Sequence, residues 1–199
     1  APGSVALQLS YVEGVGFRDL IIENADVGVF LERTRSCQGK NLLIRDGGAS
    51  GLKASVDRGS EFERAVVTRQ KGVGLALENS VISCRSCVVW SNMSYAVSLT
   101  SSGMDASNCV FHASGPTNVC YYIFTNSAVI ADYNDLYLEN GANIAFYRGG
   151  PVERLAEWTG ISTQDAHSLT YDPLFADPAN DDYHLRSSTG RYDPNTGLF

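Results

Sequence analysis

Glu32, Lys53 and Glu78 are the charged side chains whose spacing could set them along one face of a repeating strand. Two carboxylates across a glycosidic bond can hydrolyse it, and a lysine beside a uronate can remove the proton α to its carboxylate. Two strand spacings would separate Glu32 from Glu78 by about 9.6 Å, near the upper end for inverting hydrolysis. Exposed glutamates on a repeat protein more often only keep it soluble. The three residues are therefore read as ligand contacts, and no residue is assigned a catalytic role.

The remaining reactive side chains form no constellation. Arg69 and Lys71 share a turn with Gln70, where solvation explains them better than base catalysis. Asp26, Asp57 and Asp105 fall at different corners of the repeat and do not converge on a calcium site. His112 follows an outward strand, while His167 and His184 are expected to hold turns by hydrogen bonds. Cys84-Arg85-Ser86-Cys87 has CxxC spacing, but no second pair or nearby His completes a zinc site. No metal and no cofactor are expected.

These residues are positioned by a repeat. One short strand recurs as Val27-Gly28-Val29-Phe30-Leu31, Ser50-Gly51-Leu52-Lys53-Ala54, Val73-Gly74-Leu75-Ala76-Leu77 and Tyr95-Ala96-Val97-Ser98-Leu99. Weaker copies follow at Val119-Cys120-Tyr121-Tyr122 and Ile144-Ala145-Phe146-Tyr147. A second strand keeps the same beat, with central residues at 21, 43, 66, 88, 110 and 137. Each copy is too short to bury its own apolar face, whereas stacked coils give every strand two parallel neighbours and a continuous core. A leucine-rich repeat has a similar length, but its Leu-x-x-Leu-x-Leu signature is absent. The pattern predicts an all-β fold, a parallel β-helix of about six to seven coils over residues 1–148.

Alternation assigns the faces. Val29, Leu31, Leu52, Ala54, Leu75, Leu77, Val97 and Leu99 point inward. Phe30, Lys53, Ala76, Ser98 and Tyr121 then form an outward ladder, flanked by Glu32, Ser55, Glu78, Thr100 and Tyr147. Aromatic faces pack well against the apolar side of a sugar ring, so Phe30, Tyr121 and Tyr147 join the charged residues as expected carbohydrate contacts. On the second strand Ile21, Leu43, Val66, Val88, Val110 and Tyr137 point outward. Such an apolar stripe is expected to be covered by the chain itself or to serve self-association. Cys87 and Cys109 become stacked core neighbours and are expected to remain thiols.

Composition narrows the function classes. A formal net charge of -7, with no basic run interleaved with aromatics, argues against nucleic acid. No apolar stretch approaches the roughly 18 residues of a membrane helix. From residue 149 the pattern changes: Pro151 to Trp158 reads as a short helix ending near Gly160, followed by an extended tail to residue 199. Asp172-Pro173, Asp177-Pro178 and Asp193-Pro194 punctuate that tail with turns.

The segments DYNDLYLENG (132–141), LAEWTG (155–160), QDAHSLTYDPLFADP (164–178) and DYHLRSSTGRYDPNTG (182–197) resemble bacterial secreted right-handed β-helix proteins of the pectate-lyase-like superfamily. The resemblance covers nearly the whole chain. It implies a right-handed coil, a secreted or extracellular location, and a place in the later part of a longer solenoid. It also implies polysaccharide ligands along one outward sheet and, if the protein is an enzyme, a polysaccharide lyase or glycoside hydrolase. The competing expectation is a structural or adhesive repeat that assembles laterally or end to end.

Overall fold

Single residues in the left-handed backbone region turn the chain at each corner of the repeat. Tyr11, Arg33, Val56, Asn79, Ser101 and Asn126 form one corner column. Asp19, Asn41, Arg64, Ser86, Asn108 and Tyr133 form a second, and Asn24, Asp46, Arg69 and Ser91 a third. One such residue redirects an extended chain without starting a helix. The computed structural model describes residues 3–186, and in them three corners per turn produce a parallel β-solenoid of about six coils.

The first coil holds β1 (Val5–Ser10) and β2 (Gly16–Glu23), the second β3 (Val27–Glu32) and β4 (Gln38–Arg45), and the third β5 (Ser50–Ser55) and β6 (Arg58–Thr68). The fourth holds β7 (Val73–Glu78), β8 (Val81–Arg85) and β9 (Val88–Trp90). The fifth holds β10 (Val97–Thr100), β11 (Gly103–Ser107) and β12 (Val110–Ser114). The sixth holds β13 (Val119–Ile123), β14 (Ala128–Asp132) and β15 (Asp135–Glu139). β16 (Asn143–Tyr147) begins a further turn, and β17 (Gly150–Val152) reverses antiparallel upon it.

β1, β3, β5, β7, β10, β13, β16 and β17 make the first sheet. The other coil strands form a second sheet with two wings that meet in the long strand β6. α1 (Leu155–Ser162) follows, and a hairpin of β18 (Phe175–Asp177) and β19 (Asp182–Leu185) ends the described chain.

The inward columns are those the alternation predicts. Val29, Leu52, Leu75 and Val97 stack in register, as do Leu31, Ala54, Leu77 and Leu99, and all are buried. Each fully buried leucine contributes about 2 kcal/mol relative to exposure. At the first corner hydroxyls satisfy backbone donors that the sheets leave unpaired. Asp57 N–H donates to Ser80 Oγ, Ser80 N–H to Ser102 Oγ and Ser102 N–H to Ser127 Oγ, at 3.0 to 3.2 Å. All five cysteines are buried free thiols, and the Cys87 N–H donates to Cys109 Sγ at 3.4 Å.

Four sequence expectations are corrected. Tyr121 pairs with Val97, not Ser98, so it faces the core and is fully buried. Its hydroxyl finds no hydrogen-bond partner there, and burial pushes the phenol far up. Tyr147 is half-buried against the core and meets Trp158 edge-on at 5.4 Å, so it does not stand in the row of Glu32 and Glu78. A one-residue slip in the two weakest copies moves each ring to the opposite face.

Tyr137 pairs with His112, while Val110 pairs with Asp135, so the apolar stripe ends in a carboxyl. Pro151 lies in β17 opposite Phe146, and α1 begins only at Leu155. An edge strand tolerates proline because the missing N–H faces outward. The Asp193-Pro194 turn and the end of the tail lie outside the described residues.

Candidate functional site

Phe30, Lys53, Ala76, Ser98, Tyr122 and Phe146 follow one another in register along the outer face of the first sheet. Four sequence-predicted contacts, Phe30, Glu32, Lys53 and Glu78, share this face. Lys53 Nζ stands 5.9 Å from the centre of the Phe30 ring and 3.4 Å from Glu78 Oε1. Glu32 Oε2 accepts from Ser10 Oγ at 3.1 Å and from Gln8 Nε2 at 3.4 Å. Both carboxylates thus have partners on their own face, and Ser55 separates them in register. This arrangement can exchange hydrogen bonds with a polymer's hydroxyls, and nothing in it brings two acids to one bond.

The aromatic part of the face lies at its carboxy-terminal end. Tyr95 stacks on Tyr122 at 4.2 Å, and Tyr122 stacks on Phe146 at 5.0 Å. Both faces of Tyr122 are therefore occupied, and desolvation raises the Tyr95 phenol, with Tyr122 adding to the effect. Phe124 tilts against Tyr122 at 5.0 Å and is 49% exposed. Phe124, Phe146, Tyr147 and Arg148 wall a groove of about 490 Å³, rimmed by Asn126 and Ser127. That volume lies within the range of small-molecule sites, which combine apolar walls with a few polar groups. Arg148 lies over the Tyr147 ring at 4.9 Å.

The outer face of the second sheet is built differently. Trp90 stacks on His112 at 4.3 Å, and His112 on Tyr137 at 5.5 Å. Phe175 meets Trp90 edge-on at 5.1 Å, and the Tyr183 hydroxyl bonds Thr68 Oγ1 at 2.8 Å. The β18–β19 hairpin therefore covers this stack. His112 Nδ1 accepts the Ser91 N–H at 3.1 Å, which leaves Nε2 to donate to Glu139 Oε2 at 3.0 Å. Burial pulls the His112 pKa down and Glu139 partly opposes it.

Burial raises Asp135 to about 6, and its Oδ1 is buried without a hydrogen-bond partner. His112 lies in the stack that the hairpin meets, and Asp135 pairs with Leu169 in the segment that precedes the hairpin. Among the described residues no cluster of three or more His, Cys, Asp or Glu side chains is arranged to hold a metal ion. His167 and His184 contact Asp132 and Asp182 at 2.7 and 2.6 Å, respectively.

Sequence reasoning missed Tyr122, Phe124, Phe146 and Arg148. The signal was present in the column of small residues Gly28, Gly51, Gly74 and Ala96. Aligning Cys120 to that column sets Tyr121 beneath Val97 and Tyr122 beside Ser98. Comparison with protein-family models finds no match, and a search of curated proteins finds none either. The fold defines the chain as a parallel β-solenoid.

Proposed function

We propose that this solenoid is an extracellular polysaccharide-binding module that holds its ligand along the outer face of the first sheet. The groove between Phe124 and Phe146 carries the proposal. It offers an exposed aromatic ring, polar rim groups and a cation at one end of a face whose other end presents Phe30, Lys53, Glu32 and Glu78. Apolar ring faces suit the C–H surface of a sugar, and the amide, hydroxyl and guanidinium groups suit its oxygens. The tail motifs that resemble secreted pectate-lyase-like proteins support the same ligand class by analogy.

A glycan panel tests this reading. Phe124→Ala removes an exposed ring that the core does not need, and it should weaken the best glycan about fivefold to tenfold. Ultraviolet absorbance from unsaturated products, followed in the same samples, separates a lyase from a binder. A chain that binds no glycan in the panel ends the proposal.

Lateral self-association through the second-sheet stripe has less support. Ile21 is 69% exposed, but Leu43, Val66, Val88 and Val110 are half-buried and Tyr137 lies in the column beneath the hairpin.

A further inference from the structure

Three arginines crowd the corner between the first and second sheets on coils two and three. Arg33 belongs to the left-handed column between Tyr11 and Val56. Beside it Glu13, Arg35 and Arg58 pair through successive parallel bridges. The six side chains make a two-by-three array around a groove of about 500 Å³. Arg33 Nη1 donates to the Tyr11 hydroxyl at 2.7 Å, and its guanidinium lies 5.3 Å from the centre of that ring. This pins one cation at the wall of the groove.

Two features of the corner are not accounted for by folding. Many cations of the coils meet carboxylates: Lys53 meets Glu78, Arg85 meets Asp105, and Arg45 and Arg69 share Asp181. Lys71, Arg148, Arg154 and Arg186 have no ion pair among the described residues but do not cluster in one groove. Among the described residues Arg33, Arg35 and Arg58 form no ion pair with an acid. Buried Asp57 lies beneath them, but its carboxylate already accepts from Thr34 Oγ1 at 2.5 Å and Ser60 Oγ at 2.6 Å. Arg35 and Arg58 stand directly across from each other, a like-charge pairing that destabilises a sheet.

The second feature is the corner column itself. In later coils it uses Asn79, Ser101 and Asn126, and asparagine suits the left-handed backbone. At the groove it uses Tyr11, Arg33 and Val56; arginine and tyrosine also take this conformation at Arg64, Arg69 and Tyr133, so the departure is Val56. Val56 at φ 60° is β-branched and strained there.

We propose that this corner is a second binding groove, for the carboxylate or sulfate-ester groups of an acidic glycan. Guanidinium forks match both oxyanions bidentately, and the repeat sets them at the spacing of neighbouring strands, about 4.8 Å. In a chain of net charge -7, a local excess of unpaired guanidinium groups draws an anionic polymer to this corner. The inference deepens the polysaccharide reading and rests on it.

Arginine Nε–H signals of the full chain, followed by NMR, are the readout. The probes are an oligogalacturonate, a sulfated dextran oligomer, neutral dextran and a short single-stranded DNA. Either acidic glycan should shift Arg33, Arg35 and Arg58, and the stronger of the two identifies the oxyanion. Binding should weaken with added salt. Arg35→Gln with Arg58→Gln should weaken it about tenfold, while Arg35→Lys with Arg58→Lys, which keeps the charge, should lose less.

All four substitutions replace exposed side chains, and the melting midpoint read beside each titration shows that the coil is intact. Acidic-glycan binding that ignores the double Gln variant overturns the groove and leaves the polysaccharide reading standing. So does acidic-glycan binding that leaves the signals of Arg33, Arg35 and Arg58 unmoved. DNA bound as tightly as the acidic glycans overturns the glycan assignment, and silence toward every glycan ends both readings.

Discussion

Trp158 donates its indole N–H to Asp165 Oδ2 at 2.9 Å, and both residues are buried at the carboxy-terminal end of the solenoid. Asp165 Oδ1 accepts from Ser168 Oγ at 2.6 Å and from Asn134 Nδ2 at 3.1 Å. The Asp165 N–H reaches Ala131 O at 2.7 Å, so the same residue continues the coil pairing beyond β14. Trp158 also lies against Tyr121 and Tyr147. One carboxylate thus joins α1 to the last full coil.

Asp165→Ala leaves the buried Trp158 and Ser168 donors without an acceptor and Asn134 Nδ2 with the Ala106 carbonyl alone, and should cost about 3–5 kcal/mol of stability. Asp165→Asn keeps the shape and part of the hydrogen bonding, and should cost less. Urea unfolding followed by tryptophan fluorescence measures both. An Ala variant with the wild-type midpoint would show that this cluster does not hold the cap.

Asp135 imposes an opposite pH dependence to that of a salt-bridged acid. Burial raises its folded pKa to about 6, above the ordinary carboxylate value, so the folded chain holds this proton more tightly than the unfolded chain. Its contribution is greatest below about pH 4, declines as pH rises toward 6, and is a constant penalty above that. Asp135→Asn should therefore stabilise the chain at pH 7.5 by about 1 kcal/mol after solvent screening is discounted, and by little at pH 4. Equal gains at both values in paired urea titrations would contradict the assignment.

The repeat was legible because its signal is redundant. Two strand columns with one period fixed the coil, the inward residues and the stacking of Leu52 on Leu75. Phe30, Glu32, Lys53 and Glu78 fell on one outward face for the same reason. Where the copies weakened, the face assignment failed. Tyr121 carries a hydroxyl, which argues for the surface, yet the register buries it. The stripe could be read as apolar, but its cover could not. The hairpin that protects the neighbouring column comes from residues 175–185, and no local pattern says where a tail will fold back. The arginine corner was equally hidden, because Arg33, Arg35 and Arg58 come together only when two coils are laid side by side.

Gly28 is required by a close approach between coils. A Cβ there would stand 2.4 Å from Ile44 Cγ2 and 2.6 Å from the Gly51 carbonyl oxygen. The side chain could turn away, but the backbone oxygen could move only by opening the β3–β5 pairing. Gly28→Ala should cost about 1–3 kcal/mol. Gly16→Ala is the control, since a Cβ there meets nothing within 4 Å, and it should change stability by no more than about 0.5 kcal/mol. Thermal unfolding of the two variants side by side decides the point, and equal midpoints would remove the steric argument.

Asp181 clamps the hairpin to the coils. Its carboxylate bonds Arg69 Nη1 at 2.7 Å and Arg45 Nη1 on the adjacent coil. Arg69 chiefly holds the Asp181 pKa below the usual carboxylate range, and Arg45 adds to it. This contact is therefore fully present above the unfolded carboxylate pKa, and it weakens only as acid takes the pH through the lower folded value. Asp181 also sits at φ 65°, so Asp181→Asn is the fitting test: asparagine keeps the left-handed turn and removes the charge.

Amide exchange in β18 and β19 should accelerate about tenfold in that variant, while the central strands β5, β7 and β10 keep their protection. Trp90 emission should shift to the red as Phe175 leaves its edge. Unchanged exchange in the hairpin would mean that Phe175 and Tyr183 hold it without the clamp. Faster exchange throughout the coils would mean that the hairpin is part of the global fold and not a strap that opens on its own.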